Sequence, residues 1–131
     1  MYLATAQSIP ATTTTYINFD TVDFDPNGNV TTGAGAKYTV PVNGFYIVSV
    51  AVALVAAVNA VNVCIYKNGA GISRTGSQFG AGPSYNGAAC DIISCVAGDY
   101  LQATIYAATG PTNTQAGPQS CWLSAHFLSP S

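Results

Sequence analysis

The chain has 131 residues, enough for one domain that buries about two thirds of the surface exposed by its unfolded form. Only 6% of the residues are charged, whereas a typical soluble protein has about 25%, and the formal net charge is -2. With three basic residues in all, the chain lacks the basic patch of a nucleic-acid-binding protein and the basic face that binds anionic lipid.

The composition favours β structure. Eight tyrosines and five phenylalanines accompany many valines and threonines, while thirteen glycines and seven prolines interrupt the chain at short intervals. The first group is enriched in strands and the second in turns. We therefore predict an all-β sandwich or jelly roll of about ten strands, without helices. The scarcity of charge also predicts that oligomerisation hides part of the surface.

Residues 1–15 form the first predicted segment, which is an arm or first strand. They carry no charge and end in the run ATTTT. We predict that this arm is a docking segment and that residues 16–131 form the domain. The N-terminus has neither a basic start nor a long apolar core, so no signal peptide is predicted.

A predicted strand, residues 16–24, leads into a turn that reads DFDPNG over residues 23–28. This pattern matches the first half of a calcium loop, in which closely spaced oxygens ligate a hard cation. The weak calcium candidates are Asp23, Asp25 and Asn27. A plain turn is the favoured interpretation, because Ala34 stands where the calcium loop has its bidentate acid. No other cofactor is predicted.

The segment from Lys37 to Gly69 is the most informative, because no charged residue lies between Lys37 and Lys67. We predict a short strand over 38–42, a long strand over 45–57 and its antiparallel partner over 61–66. The sequence Lys67-Asn68-Gly69 predicts a tight hairpin.

In the long strand both the odd-numbered and the even-numbered residues are mostly hydrophobic. An antiparallel sheet needs only one apolar face, so a bilayer, a helix layer or a second copy must cover the other. A membrane span is disfavoured because Pro41 and Gly44 stand at its entry, and no basic cluster flanks it. Which of the two sets faces the core is left open.

The remaining predicted elements are a loop over 69–87 with a weak strand at 77–80, strands over 90–96 and 99–107, a loop over 109–120 and a last strand over 121–128. Asp99, which follows Ala97-Gly98, is interpreted as a turn residue rather than a ligand-binding one. Four cysteines show no C-x-x-C spacing, so a zinc site is not predicted. Buried free thiols and a cross-strand disulfide, such as one between Cys64 and Cys121, both stay open. Cys90 and Cys95 lie on opposite faces of one strand and cannot bridge each other.

Several blocks along residues 16–128 resemble, in order and spacing, the globular head of the C1q and tumour-necrosis-factor superfamily. The blocks are GAKYTVPVNGFYIVS at 35–49, IYKNG at 65–69, VAGDYLQATIY at 96–106 and WLSAHFL at 122–128. The low charge favours a phage or bacterial member.

The resemblance implies a jelly-roll β-sandwich that forms a homotrimer, with one face of its inner sheet around the three-fold axis. By the family register Leu101, Ala103 and Ile105 face the core. The implied trimer-interface residues are Phe45, Ile47, Ser49, Tyr100, Gln102, Thr104, Tyr106 and His126. Protonation of His126 at such an interface would weaken the trimer.

No constellation of catalytic groups is present, and no G-x-S-x-G elbow occurs, so an enzyme is not predicted. The first predicted function is that of a virion structural protein, a phage capsid-decoration or fibre-head module docked on its assembly by the N-terminal arm. The alternative is an adhesive head that binds a cell-surface receptor or glycan through the loops 69–87 and 109–120. The candidate ligand residues in these loops are Arg74, Gln78, Tyr85, Asn113 and Gln115. Both functions place the protein on the outside of a virion or cell.

Overall fold

The computed structural model of the chain describes residues 1–72 and 76–131. The short strands are β1 (Ser8–Ile9), β2 (Thr15–Tyr16), β3 (Val30–Thr31), β4 (Lys37–Thr39), β6 (Ala70–Gly71) and β9 (Thr112–Asn113). The long strands are β5 (Gly44–Lys67), β7 (Gly76–Cys95), β8 (Tyr100–Ala107) and β10 (Cys121–Ser129). The prediction of an all-β protein with about ten strands is confirmed. Within these ranges there is no helix of a length and hydropathy that would span a bilayer.

The strand β5 takes part in two groups of strands. Its first half, residues 44–53, lies between β10 and the second half of β7, so that Val48 is opposite both Ala125 and Asp91. We call this group sheet I. The second half of β5 pairs with β8, with Val63 opposite Ile105, and with the start of β7. This second group is sheet II, which β4, β2 and β3 extend beyond β8.

The prediction that residues 61–66 are the antiparallel partner of 45–57 is wrong, because both belong to β5. No glycine or proline lies between the two halves, so the sequence provides no tight turn there. The register with β7 shifts between Ala53 and Val58, and such irregularities bend a strand. The bend carries the chain from sheet I to sheet II.

The core lies between the two sheets. In sheet I the even-numbered β5 residues from Tyr46 to Leu54 are buried, whereas in sheet II the odd-numbered residues from Val61 to Ile65 are buried. The sheets are in close contact at Gly87, where an added Cβ would lie 2.7 Å from Val63 Cγ2. The prediction that Leu101, Ala103 and Ile105 face the core is confirmed, since each is at most 1% exposed.

Residues 1–15 pack onto the domain and contribute to its core. The Leu3 N–H donates to Cys121 O at 3.0 Å, and the Leu123 N–H donates to Met1 O at 3.0 Å. Leu3 and Ile9 are buried, and β1 pairs with β9. Residues 1–3 therefore border β10 in sheet I, whereas β1 pairs with β9 and Thr15 belongs to β2 in sheet II.

The predicted strand over 16–24 is wrong beyond Tyr16, where β2 ends. The Asp20 carboxylate accepts the backbone N–H groups of Ala4 (2.6 Å) and Thr5 (2.9 Å). Side-chain acceptors of this kind compete with a regular ladder. The chain is consequently held in an irregular path here.

The hairpin predicted at Lys67-Asn68-Gly69 is confirmed. Asn68 and Gly69 have φ angles of 53° and 79°, as a type I′ turn requires, and the turn joins β5 to β6. The loop predicted over 69–87 is wrong from Gly76 onward, because β7 begins there and its backbone pairs with β5. Small and polar residues can form a strand when a long neighbouring strand, here β5, provides backbone hydrogen-bond partners.

The Cys64–Cys121 disulfide does not form. The Cys121 Sγ accepts the Ala53 N–H at 3.3 Å and donates to Ala53 O at 3.4 Å, as a thiol does. Burial raises the pKa of both the Cys121 and the Cys95 thiols. Cys90 is exposed, so the prediction of a buried thiol is wrong there, and Cys90 and Cys95 do point to opposite faces.

Candidate subunit interface

The side of sheet I that faces away from the core forms a continuous surface across β10, β5 and β7. Alternation along each strand places these residues outward. In rows across the three strands they are Phe45 and Ser94; His126, Ile47 and Ile92; Ser124, Ser49 and Cys90; Trp122, Ala51 and Ala88; and Ala53 and Asn86. We call this set the sheet I outer face.

The sheet I outer face carries no Asp, Glu, Lys or Arg, and eight of its thirteen residues are apolar. Phe45 and Ile47 are each 38% exposed, and Ile92 is 55% exposed. At its centre the Ser49 hydroxyl donates to the Cys90 Sγ at 3.1 Å, so part of its small polar content is paired within the face. Burying such a surface stabilises association, because apolar area leaves water and no full charge is desolvated.

The structure brings four of the eight predicted interface residues together on this face. They are Phe45, Ile47, Ser49 and His126, and His126 lies directly opposite Ile47. Sequence reasoning missed the contributions of β7 and of Trp122. Small or apolar residues stand at Ala88, Cys90 and Ile92, every second position of this segment. The sequence does not show, however, that the segment pairs with β5.

The other four predicted interface residues, on β8, lie on sheet II. Lys37 Nζ is 5.2 Å from the centre of the Tyr100 ring, and the Gln102 side chain donates to Ala36 O at 3.4 Å. Thr104 is 2% exposed, and Tyr106 follows it on the same strand. These residues do not lie beside Phe45, because β8 pairs with the second half of β5. Their part in a subunit interface stays a prediction.

The calcium candidates form a turn that is stabilised by its own backbone. The Asp25 Oδ2 accepts the Val30 N–H at 2.8 Å. Partial burial acts to raise the pKa of Asp25, but hydrogen bonds from Val30 and from the backbone of residues 27–29 lower it overall. In the part of the chain that the structure describes, no three His, Cys, Asp or Glu side chains converge as a metal site. Calcium binding by Asp23, Asp25 and Asn27 stays a prediction.

The candidate ligand residues fall into two groups. Arg74 lies outside the described residues, and so do the side chains of Gln78 and Tyr85. Asn113 is exposed on β9. Gln115 is exposed, but its side chain donates to Leu54 O at 3.1 Å and helps fix the loop.

Asp99 anchors the end of sheet II, as its predicted turn position suggests. Its carboxylate accepts the Asn68 side-chain amide at 2.7 Å and the Val96 N–H at 2.9 Å, and lies 3.1 Å from Lys67 Nζ. The Asn68 hydrogen bond foremost, then that of Val96 and the ammonium of Lys67, lower the pKa of Asp99. The cluster fastens the β5–β6 hairpin to the turn before β8.

No family model matches the chain, and no curated relative matches it significantly. Among solved structures the chain is similar to "Structure of Eiger TNF from S. frugiperda", with a TM-score of 0.70 and 12% sequence identity. The match covers 99% of this chain and 91% of that one. The likeness shows a C1q/TNF-like jelly-roll fold, and the predicted fold is confirmed.

Proposed function

We propose that the protein is a non-enzymatic, homotrimeric surface module of a larger assembly and that its subunits associate through the sheet I outer face. The observation that supports this most strongly is the exposure of Phe45, Ile47 and Ile92 on an uncharged sheet surface. A stable interface removes about 800 Å² from each partner, so the interface needs a surface of several neighbouring strands rather than single side chains. The implied three-fold arrangement of the C1q and tumour-necrosis-factor superfamily agrees with this choice of face.

The larger assembly is proposed to be a virion, where the protein serves as a phage capsid-decoration or fibre-head structural protein. The support is compositional, since 6% charge suits a subunit that is closely packed against others. The N-terminal segment is the proposed docking element. Because Leu3 and Ile9 are buried in the core, docking would use its exposed residues, such as Thr5 and Ser8.

Receptor or glycan binding through the loops remains the alternative. One of the two loops on which it depends is mostly a strand, because residues 76–87 lie in β7. Asn113, which is exposed on β9, is the position at which this alternative is best probed.

The substitution Ser49→Asp tests the proposed interface. It places a carboxylate at the centre of the sheet I outer face, where assembly would remove it from water, and a buried unpaired charge costs several kcal/mol. We expect the variant to sediment as a monomer at concentrations at which the unmodified protein is a trimer.

The matched control is Ser8→Asp, the same change at an exposed strand position outside this face. It should leave the trimer intact. Circular dichroism and thermal melting establish that both variants are folded. A folded Ser49→Asp protein that still sediments as a trimer would exclude the sheet I outer face as the interface.

A further inference from the structure

The two edges of sheet I are covered differently. At one edge, residues 1–3 lie beside β10, where the Leu3 N–H donates to Cys121 O. The other edge is β7, and over residues 86–95 no strand within the described ranges pairs with its far side. A free edge of this kind can add a strand of another chain, which leads to aggregation.

The even-numbered residues of β7 direct their backbone groups toward this free edge. The Ala53 N–H donates to Ser120 O at 3.0 Å, so the odd-numbered β5 residues of sheet I bond to β10. Because the two sides alternate along a strand, the even-numbered β5 residues bond to the odd-numbered residues of β7. The backbone N–H and C=O groups of Ile92 and Ser94 therefore point away from β5.

Charged side chains of the same chain occupy two of these edge groups. Asp91 Oδ1 accepts the Ile92 N–H at 2.8 Å, and Lys67 Nζ donates to Ser94 O at 2.8 Å. A strand added here would have to displace a carboxylate from an N–H group and an ammonium from a carbonyl group. Hydrogen bonds to ionised groups are the stronger ones, so this exchange is unfavourable.

Asp91 interrupts a stretch that otherwise favours strand addition. It is the only charged residue within 75–98. On the inward side of β7 it stands between Ala89 and Ile93, both of which are buried, while Ile92 on the other side is 55% exposed. Uncharged segments rich in β-branched residues pair readily with copies of themselves, and an inward-pointing charge on an edge strand opposes such pairing.

We propose that Asp91, together with Lys67, prevents another copy of this chain from adding a strand to the free edge of β7. The Asp91 carboxylate holds an N–H group that the added strand needs. Once displaced, it would be an unpaired charge beside the junction of the two chains. The inference goes beyond the proposed trimer, because the added strand would bond to the backbone of β7 rather than pack on the sheet I outer face.

The test substitution is Asp91→Val, which removes the acceptor of the Ile92 N–H and continues the apolar inward series of β7. It is made in the Ser49→Asp protein, and its mass is compared with that of Ser49→Asp alone. We expect Asp91→Val to sediment in species larger than this parent. Its melting temperature should stay the same or rise, whereas the loss of a residue that only stabilises the fold would lower it.

Two further variants locate the association. Asp23→Val makes the same change at an exposed position outside β7 and should keep the mass of the parent. Ser94→Pro, added to Asp91→Val, should restore the mass of the parent, because proline removes an N–H that points to the free edge and edge strands tolerate proline. If circular dichroism shows that Asp91→Val is unfolded, Asp91→Ala takes its place in the same comparisons.

A folded Asp91→Val protein with the mass of its parent would overturn the proposal. Equal association of Asp23→Val, or association that persists after Ser94→Pro, would overturn it as well. Each mass is judged against the parent, so these outcomes are distinct from the question of whether the unmodified protein is a trimer.

Discussion

The carboxylate of Asp99 shows how one residue joins distant parts of the chain. Sequence alone identified it as a turn residue, because it follows Ala97-Gly98. Its bonds to Lys67 and Asn68 could not be predicted, since these residues precede it by about thirty positions and meet it only after β5 and β8 have paired. Residue type thus indicated the role of Asp99, and the fold provided the partners.

Replacing Asp99 with asparagine should destabilise the protein. The Asn68 side-chain amide and the Lys67 ammonium lose their charged acceptor, which lowers the free energy of unfolding by about 1–3 kcal/mol. The pKa of folded Asp99 lies below its ordinary value of 3.8, so its stabilisation is present above that pH and disappears as the pH falls through the folded-state pKa. Urea titrations should therefore show a difference between the two proteins at pH 6 that shrinks by pH 3.

The exposed Asp23 provides the control for this prediction. Asp23→Asn removes an equal charge and should change the stability by less than about 0.5 kcal/mol at pH 6. A difference between Asp99→Asn and the unmodified protein that stayed constant down to pH 3 would contradict the assignment.

At the scale of elements, β5 shows why a local hydrophobic pattern led to the wrong strand pairing. The hydrophobic runs at 45–57 and 61–66 were recognised correctly as extended structure, but they were interpreted as a hairpin. The buried residues are even-numbered up to Leu54 and odd-numbered from Val61 onward. This change of buried face is expected of a strand that passes from one sheet to the other. Periodicity gives the buried face of a strand but not its neighbours.

For the N-terminal segment, too, the sequence pattern did not reveal the pairing partners. Its uncharged, threonine-rich sequence predicted an arm, and its pairing partners, Cys121 and Leu123, stand at the opposite end of the chain. Contacts between such distant positions depend on the completed fold. Deleting residues 1–15 would therefore remove Leu3 and Ile9 from the core as well as any docking contacts.

The contact between the sheets predicts an effect of Gly87→Ala. The new methyl group would meet Val63 Cγ2 at 2.7 Å, closer than real carbon atoms approach, so a side chain or the backbone must shift. Overpacking of this kind costs about 1–3 kcal/mol. Equilibrium unfolding in urea measures the loss.

The double variant Gly87→Ala with Val63→Ala separates this clash from a general effect on β7. Val63→Ala removes the crowding methyl groups, so the double variant should lose less stability than the two single variants combined. Additive losses, or an unchanged stability in Gly87→Ala alone, would show that the two sheets do not meet closely at this point.

For the whole molecule, composition and strand count were enough to predict an all-β sandwich, and the two apolar faces of residues 45–54 indicated that something besides the core covers sheet I. The distribution of the predicted interface residues over sheets I and II could not be obtained in this way. Assigning β8 to sheet II removed Tyr100 and its neighbours from the surface of Phe45, and β7 added Ile92 to it. The candidate interface therefore lies on a single sheet, and it includes residues of β7 that were not expected from the sequence.

The mass of the unmodified protein in solution tests the central claim most directly. Sedimentation equilibrium at neutral pH should give the mass of three copies of the 13.4 kDa chain, with no monomer at micromolar concentration. Trimer formation would bury the exposed side chains of Phe45, Ile47 and Ile92. A folded protein that sediments as a single 13.4 kDa chain across the accessible concentrations would contradict the account.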